Sequence, residues 1–382
     1  MMRPMKLAGE QLIFGSGCLE HLKTLNGSRA LIVTGGSSMK KSGVLQTVID
    51  YLEEAGMKSE VFAGVEPDPS FRTVFNGAEA MKKFQPDVII GLGGGSAMDA
   101  AKAMRIYYEY PELTTLQDIL PPNPFPKLGR KAYVVCIPST SGTASEVSRS
   151  VVITDNETNV KYGIGNMEMV PEVAICDPVV TATMPPKITA ETGMDALTHA
   201  LEALVSRRSN YLSSMMAATA ARDIIHVLPK AYEHGESLEY REIMLNASFT
   251  AGLAFTNVSL GIVHSMAHAL GSLFSLPHGL ANAILLPYVM RFNYADQRAK
   301  AIYHGLAEEA GVRDLMAAVC ELNERLGIPA QLREVIADES KFSEEIPVLA
   351  ELALNDGCTK TNPVIPSLDE LKELFRRAYS GN

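Results

Sequence analysis

The chain lacks three features that would assign it to specialised classes of protein. It has no excess of positive charge, because 34 Lys and Arg stand against 44 Asp and Glu, and the net charge of −10 argues against a nucleic-acid or anionic-membrane surface. No apolar run approaches the roughly 18 residues needed to cross a bilayer, and the opening residues lack the apolar core of a signal peptide. Its five cysteines have no CxxC spacing, and the odd count favours free thiols in a reducing compartment. The sequence therefore predicts a cytoplasmic protein whose partners are small molecules or other subunits.

The length of 382 residues is too great for one ordinary core, and the apolar content of 47 % suffices for two. From residue 30 to about 184, short β-rich runs alternate with helical spacing of apolar residues, which is typical of a doubly wound, mostly parallel sheet. Beyond 184 the strand signals fade and helical spacing continues. We predict an α/β domain over 1–184 and an all-α domain over 185–382. The predicted strands are 30–34, 59–62, 88–91, 132–137, 151–154 and 173–176, and the predicted helices are 43–54, 72–83, 100–107, 188–205, 211–226, 241–255, 261–274 and 282–292.

One carboxylate and four of the chain's eight histidines cluster in three short segments of the second half. They are Asp195 with His199, His264 with His268, and His278 between Pro277 and Gly279. Residues four apart on a helix project from the same face about 5–6 Å apart, so such pairs can converge on one ion. Imidazole with carboxylate suits iron(II), zinc or manganese. We interpret the cluster as a divalent-metal site, with two alternatives open: a purely structural histidine pair, and a turn role for His278.

A glycine-rich turn follows the predicted strand at 88–91 and precedes a helical segment at 100–107. Its sequence, Gly93-Gly94-Gly95-Ser96-Ala97-Met98-Asp99, lets the backbone approach a pyrophosphate, and the following helix offers free N–H groups to the anion. Ser96 and Asp99 also form a candidate capping pair at the helix start. The turn predicts a nucleotide site, although many α/β proteins use such a turn merely to reverse direction.

A second loop of small residues, 138–146, follows the predicted strand at 132–137. It contains Thr140 and Thr143, whose hydroxyls, together with unobstructed backbone, could contact a nucleotide. The alternative is a plain polar loop.

These motifs resemble the iron-dependent (group III) alcohol dehydrogenases, whose fold is shared with glycerol dehydrogenase and dehydroquinate synthase. The resemblance runs nearly end to end and is carried by segments 93–99, 138–147, 192–203, 264–271 and 277–279. It implies a nucleotide-binding first domain and a metal- and substrate-binding second domain. The implied metal ligands are Asp195, His199, His264 and His278, with His268 beside the site.

The same resemblance implies a set of cofactor contacts in the first domain. They are Gly94, Gly95 and Ser96 at the pyrophosphate, Thr140, Thr143 and Lys161 on the nicotinamide side, and also Asp68 and Asp99. Without the family pattern, Lys161 would be interpreted as a solvated charge. Asp68 departs from the family, since it replaces an amide that usually helps to hold the cofactor.

The residues after the first predicted strand bear on the choice of nucleotide. Members of the family that prefer NAD typically carry Asp there, where its carboxylate binds the ribose 2′-hydroxyl. This chain has Gly35, Gly36 and Ser37, followed by further hydroxyls and lysines that suit a 2′-phosphate. We predict NADP(H) in preference to NAD(H). The alternative is that the glycine pair simply ends a strand and leaves both nucleotides usable.

The resemblance implies a metal-dependent oxidoreductase that transfers hydride between NADP(H) and a short-chain alcohol or aldehyde. Iron(II) is the expected metal, with zinc and manganese open. His268 is the candidate for proton relay, unless it is a core histidine bound to the backbone. Phe255, Leu260 and Phe274 are candidate apolar walls that could equally be core.

Three alternative functions share this sequence pattern. A dehydroquinate-synthase-like lyase would need a basic pocket, and the segments around Asp195 and His264 are poor in Lys and Arg. A hydroxyacid–oxoacid transhydrogenase would keep its nucleotide tightly bound, and a non-enzymatic scaffold or metal store would keep the fold without turnover. Relatives dimerise through their N-terminal halves, so the resemblance implies a homodimer or higher homo-oligomer.

Overall fold

The computed structural model describes residues 5–156 and 160–381, and the chain falls into two compact units that meet in sequence between Met184 and Pro185. In the described residues, every strand lies in the first unit, and the second unit consists of helices and loops. This confirms the predicted fold class, an α/β domain followed by a helical one. Residues 1–4, on which the signal-peptide expectation partly depends, lie outside the described residues.

The first unit is built on a six-stranded parallel sheet. The strands of the unit, all of which except β6 and β7 belong to this sheet, are β1 (Gln11–Phe14), β2 (Arg29–Thr34), β3 (Lys58–Phe62), β4 (Val88–Gly93), β5 (Tyr133–Pro138), β6 (Ser150–Thr154), β7 (Lys161–Gly165) and β8 (Val173–Cys176). The sheet order is β1-β8-β5-β4-β2-β3, and β6 and β7 form a separate antiparallel pair. The two central strands β4 and β5 are almost wholly buried, as expected for strands covered on both faces.

Helices cover both faces of this sheet. They are α1 (Ser38–Lys41), α2 (Val44–Glu54), α3 (Phe71–Phe84), α4 (Gly95–Glu109) and α5 (Pro178–Thr181), with 3₁₀ turns at Cys18–Thr24, Gln117–Ile119 and Met167–Met169. Leu31 and Ile89 pack on one face with residues of α3 and α4, whereas Ile32 and Ile90 pack on the other with residues of α2. Alternate residues of each strand thus supply two cores, which makes the unit doubly wound.

The second unit is a helical assembly around buried apolar faces. Its helices are α6 (Pro186–Val205), α7 (Tyr211–Glu233), α8 (Leu238–Val258), α9 (Ile262–Phe274), α10 (His278–Asn293), α11 (Gln297–Glu309), α12 (Leu315–Arg325), α13 (Glu339–Asn355) and α14 (Leu368–Ser380), with 3₁₀ turns at Leu332–Glu334 and Thr359–Thr361. Capping chemistry fixes several starts: Asn210 and Ser367 form capping boxes before α7 and α14, and Pro186 occupies the first position of α6.

The structure corrects several of the predicted elements. β1, a short edge strand with no fully buried residue, and the helices after residue 293 were not predicted. α4 begins at Gly95, five residues earlier than predicted, because the last glycine of the glycine-rich turn already belongs to the first turn of the helix. α10 begins at His278, four residues earlier than predicted. The predicted Ser96–Asp99 capping pair is wrong, since Gly94 precedes α4 without any side-chain cap.

Within the described residues, no single helix has the length and apolarity to span a bilayer. α8 and α9 meet those criteria only as a pair, and the pair is bent by 99° at its break.

Candidate metal centre and cofactor loops

The four predicted metal ligands converge in the second unit. Asp195 and His199 lie one turn apart on α6, His264 lies in the first turn of α9, and His278 begins α10. Asp195 Oδ1 is 3.8 Å from Nε2 of His199, 3.6 Å from that of His264 and 3.5 Å from that of His278. Three helices therefore bring three imidazole nitrogens within 3.8 Å of one carboxylate oxygen.

Glycine allows the close approach of α10 to α6 that this convergence needs. A Cβ atom at Gly279, the residue after His278, would come within 2.3 Å of the Glu191 carbonyl oxygen and 3.5 Å of Asp195 Cβ. Any larger residue would therefore push the first turn of α10 away from Asp195.

The spacing and chemistry of these side chains fit a metal ion. Four ligand atoms bound tetrahedrally at about 2.0–2.2 Å would stand about 3.3–3.6 Å apart, close to the 3.5–3.8 Å that separates Asp195 Oδ1 from the three nitrogens. Candidate ligand atoms of Asp195, His199 and His264 all lie within 4.8 Å of one another, and all three residues are buried. Three imidazoles and one carboxylate suit iron(II), zinc or manganese.

Charge and burial set the protonation of these ligands. Burial alone would raise the pKa of Asp195, but His199, His278 and His264 outweigh it and hold the pKa well below its usual range. Burial also lowers the pKa of His278 well below its ordinary value. Asp195 is therefore ionised and His278 neutral, which are the forms that bind metals.

Glu202 supports the site one turn beyond His199 on α6. Its carboxylate accepts hydrogen bonds from Nδ1 of His264 at 2.6 Å and from the backbone N–H of Val263 at 2.7 Å. Donation from Nδ1 leaves Nε2 of His264 as the nitrogen that faces Asp195. Burial lowers the pKa of His264, but Glu202 and Asp195 outweigh this and raise it to about 9.

Sequence reasoning did not single out Glu202, although it lies within the segment 192–203 that carries the resemblance. The available signal was its position three residues after a metal-ligating histidine, on the same face of the helix. Helical spacing could not identify the residue that Glu202 binds, because His264 lies 62 residues further along the chain.

His268 lies beside the metal ligands. Its ring stacks on that of His278, with centroids 5.3 Å apart and planes 14° apart. Its Nδ1 lies 2.8 Å from Asp356 Oδ2, and Ser265 donates to the other oxygen of that carboxylate. Burial would raise the pKa of Asp356, but His268 outweighs it and the pKa falls well below its usual range. His268 is therefore bound to a carboxylate rather than to the backbone.

Two of the three candidate wall residues have other partners. Phe255 stacks on the ring of His199 with centroids 4.5 Å apart, so it packs against a candidate ligand. Phe274 packs against Phe342 with centroids 5.7 Å apart. Leu260 is nearly buried, with 9 % of its surface exposed.

In the first unit, the two predicted nucleotide loops lie against each other. Gly93 pairs with Pro138 at the carboxyl ends of β4 and β5, so both loops leave the same edge of the sheet. A Cβ atom at Gly95 would come within 2.8 Å of the Thr143 side chain, and one at Gly94 within 3.6 Å of Thr140. Glycine therefore permits the contact, and φ of 147° at Gly93 lies in the region that favours glycine.

Two buried hydroxyls in these loops are unpaired. Among the described residues, the buried Oγ1 of Thr140 and Oγ of Ser141 have no hydrogen-bond partner. Buried polar atoms are usually paired, so these two hydroxyls are available to a polar ligand. With the helix start that follows Gly94, they fit the predicted dinucleotide cofactor.

The side chains of Asp99 and Ser96 bind neighbouring loop and strand segments and do not cap the start of α4. The Asp99 carboxylate accepts hydrogen bonds from the Ser145 hydroxyl and, at 2.9 Å, from the backbone N–H of Val152. Ser96 Oγ accepts from the backbone N–H of Asp68 at 3.3 Å. Both side chains fasten neighbouring segments to α4, which is the physical reason that the capping prediction fails.

Two other predicted cofactor contacts bind each other. Lys161 Nζ lies 2.7 Å from Asp68 Oδ2, and the Asp68 side chain is half exposed while that of Lys161 is 18 % exposed. Asp68, which stands where the family usually has an amide, therefore forms an ion pair with Lys161.

Gly35, Gly36 and Ser37 lie beside the glycine turn. They follow β2, whose Thr34 pairs with Leu92 of β4 in register. A Cβ atom at Gly36 would meet nothing within 4 Å, so the space beyond it is open. No carboxylate follows β2 in this segment.

Comparisons with known proteins cover both units. A family model described as iron-containing alcohol dehydrogenase matches residues 9–178, and the C-terminal model of the Fe-containing alcohol dehydrogenase family matches 189–379. The NADPH-dependent butanol dehydrogenase of Clostridium saccharobutylicum is 46 % identical over 377 residues, covering 97 % of this chain and 96 % of that protein. The 1,3-propanediol dehydrogenase of Klebsiella pneumoniae is 38 % identical over 94 % of each chain.

Solved structures share the fold as well as the sequence. The iron-containing alcohol dehydrogenase from Thermococcus thioreducens has a TM-score of 0.92 and 36 % identity, with 99 % of this chain and 100 % of that chain covered. A 1,3-propanediol oxidoreductase has a TM-score of 0.90, also at 36 % identity. With the family models matched across both units and a relative 46 % identical over 97 % of this chain, the chain belongs to the iron-containing alcohol dehydrogenase family and is an iron-dependent alcohol dehydrogenase.

Proposed function

We propose that this enzyme interconverts short-chain aliphatic aldehydes and alcohols, with butanal as a representative aldehyde, and that it prefers NADP(H) to NAD(H). The observation that carries the reaction class is the convergence of three imidazole Nε2 atoms on Asp195 Oδ1. The names of two relatives, a butanol and a propanediol dehydrogenase, support the substrate class.

Asp195, His199, His264 and His278 would hold the metal. When bound, the ion supplies Lewis acidity and the nicotinamide nucleotide supplies or accepts the hydride. Asp195 contributes a negative charge, because its neighbours keep it ionised. Glu202 fixes the ring of His264, and Phe255 packs on the ring of His199, so the ligands are ordered before substrate arrives.

His268 is the proposed proton carrier. Its side chain is 28 % exposed, and Asp356 holds one nitrogen of its ring while the ring itself lies on His278. In reduction, the oxygen of the product needs a proton, and a partly exposed histidine beside the candidate ligands can deliver it.

The nucleotide preference depends on the segment after β2. An NAD-specific enzyme needs a carboxylate there for the ribose 2′-hydroxyl, whereas Gly35, Gly36 and Ser37 offer none. The exposed lysines Lys40 and Lys41 follow within a few residues and would favour a 2′-phosphate. A relative 46 % identical is named an NADPH-dependent enzyme, which agrees with this preference.

The test is an assay of NADPH and NADH consumption with butanal, using protein stripped of metal and refilled with iron(II), zinc or manganese. We expect iron(II) to restore turnover and NADPH to be consumed faster than NADH. Faster NADH consumption would overturn the nucleotide preference alone. Absence of turnover with every metal, nucleotide and aldehyde of a wider panel would overturn the proposed substrate class.

Two further properties are proposals with less support. A homodimer or higher homo-oligomer follows from the family resemblance, and a cytoplasmic location follows from composition and cysteine usage. Light scattering of the purified protein would test the first, and cell fractionation the second.

A further inference from the structure

Asn282 places a carboxamide among the metal ligands. It lies one turn after His278 on α10, and its side chain is fully buried. Its Nδ2 donates a hydrogen bond to Asp195 Oδ1 at 2.7 Å and lies 3.1 Å from His278 Nε2 and 3.3 Å from His264 Nε2. One end of this amide therefore contacts three of the four candidate ligand atoms.

The other end of the amide is unpaired. Among the described residues, Asn282 Oδ1 is buried without a hydrogen-bond partner. Such an oxygen destabilises the fold, and an apolar side chain of similar size would avoid that penalty. The favourable contribution of Asn282 must therefore come from its Nδ2 end, which faces the ligands.

The assignment of the two amide atoms follows from their neighbours. With nitrogen towards the site, an N–H meets the carboxylate oxygen at 2.7 Å; with oxygen there, two acceptors would face each other at that distance. In this orientation the amide nitrogen, whose lone pair is delocalised, offers N–H groups to the candidate ligands.

We propose that Asn282 is a positioning residue of the metal centre. Its N–H fixes the orientation of the Asp195 carboxylate, and its bulk closes the face bounded by Asp195, His264 and His278 to water. The inference depends on the proposed role of these residues as ligands.

Two substitutions separate the two parts of this role. Asn282→Leu removes the donor but keeps the volume, whereas Asn282→Ala removes both. Asn323 offers a matched control, because it is also buried, donates from Nδ2 at 2.7 Å and has an unpaired Oδ1, but its acceptor is the Ala283 carbonyl. Asn323→Ala therefore reports the effect of losing a buried amide away from the ligands.

The experiment measures cobalt(II) and zinc affinity by competition with a chelator, and the visible absorption of the cobalt(II) protein. We expect both Asn282 variants to bind roughly 10- to 100-fold more weakly than the wild type, as is usual when a residue that orients a ligand is lost. Only Asn282→Ala should also lose the intense bands of four-coordinate cobalt, because water enters. Asn323→Ala should match the wild type in both measurements.

Wild-type affinity in both Asn282 variants would overturn the inference, and so would equal weakening in Asn323→Ala. If Asn282→Ala fails to fold, the affinity of Asn282→Leu decides the positioning claim. Asp195→Ala distinguishes a failure of the inference about Asn282 from a failure of the proposed function. Should Asp195→Ala keep the wild-type affinity, the ligand set itself is wrong, and the inference falls with it.

Discussion

The metal centre in the second unit and the nucleotide loops in the first unit are organised in opposite ways. At the candidate metal centre, side chains of opposite character already face one another, all buried except the partly exposed His278, and Glu202, Phe255 and Asn282 contact them. At the predicted nucleotide loops, the backbone of Gly94 lies next to Thr140, while the buried hydroxyls of Thr140 and Ser141 lack partners among the described residues. The candidate metal centre is thus built from side chains that order each other, whereas the predicted nucleotide loops leave hydroxyls unpaired.

The largest effect should follow from Asp195→Ala, which removes the group that the three imidazoles share. We expect loss of bound metal and a fall in kcat/KM of at least about 1,000-fold, since the site would lose its only carboxylate ligand and its charge balance. Metal content and activity are measured on the same sample. Retention of stoichiometric metal by a folded Asp195→Ala protein would contradict the description of the centre.

Glu146, at the end of the second nucleotide loop, offers a pH test in the first unit. Its carboxylate is buried and, among the described residues, has no hydrogen-bond partner, and burial raises its pKa to about 7. The folded protein therefore binds more protons than the unfolded chain between the ordinary pKa and about 7. The contribution of Glu146 to the free energy of unfolding should fall by roughly 3 kcal/mol as pH rises through that window and stay constant on either side of it.

Glu146→Gln should flatten that pH dependence, because the amide stays neutral throughout. Urea unfolding at pH 5 and pH 8 measures it, with substitution of the exposed Glu351 as the control. An unchanged slope in Glu146→Gln would show that other groups control the pH dependence of stability.

Glu202→Gln should weaken metal binding without removing a ligand. The charged acceptor for Nδ1 of His264 is lost while the size of the side chain is kept, so we expect roughly 10- to 100-fold lower affinity. Chelator competition measures the change, and substitution of the exposed Glu233 on α7 is the control. Equal affinities for Glu202→Gln and the wild type would mean that His264 is ordered by other contacts.

The smallest effect should come from Asp68→Asn. This change breaks the partly exposed ion pair with Lys161, which should alter stability by less than about 1 kcal/mol. It also frees the ammonium group and restores the amide that the family resemblance associates with cofactor binding. We expect the KM for NADPH to fall a few-fold, and a raised KM would show that Asp68 itself favours the cofactor.

The proximity of the four candidate ligands could be predicted because helical spacing and motif agree. Asp195 and His199 are one turn apart, and the resemblance selected His264 and His278 over His268. Their supports could not be predicted, since Glu202 and Asp356 meet their histidines across 62 and 88 residues of sequence. Such pairings depend on how helices pack, which spacing within one helix does not contain.

The nucleotide loops show a different limit. Glycine and threonine positions were predictable because the backbone approach requires small residues. The side-chain partners were not: Asp99 appeared suited to a helix cap, but β6 passes close enough for Val152 to bind it. Likewise, only the structure pairs Lys161 with Asp68. Short edge strands such as β1 carry too little apolar pattern to be recognised.

The central claim is that helices α6, α9 and α10 together hold one iron ion. The most direct test is anomalous diffraction at the iron edge from crystals of the protein reconstituted with iron(II). We predict one strong peak per chain, within bonding distance of Asp195 Oδ and of one ring nitrogen each of His199, His264 and His278. A peak bound by other residues, or none at this position in fully reconstituted protein, would contradict the account.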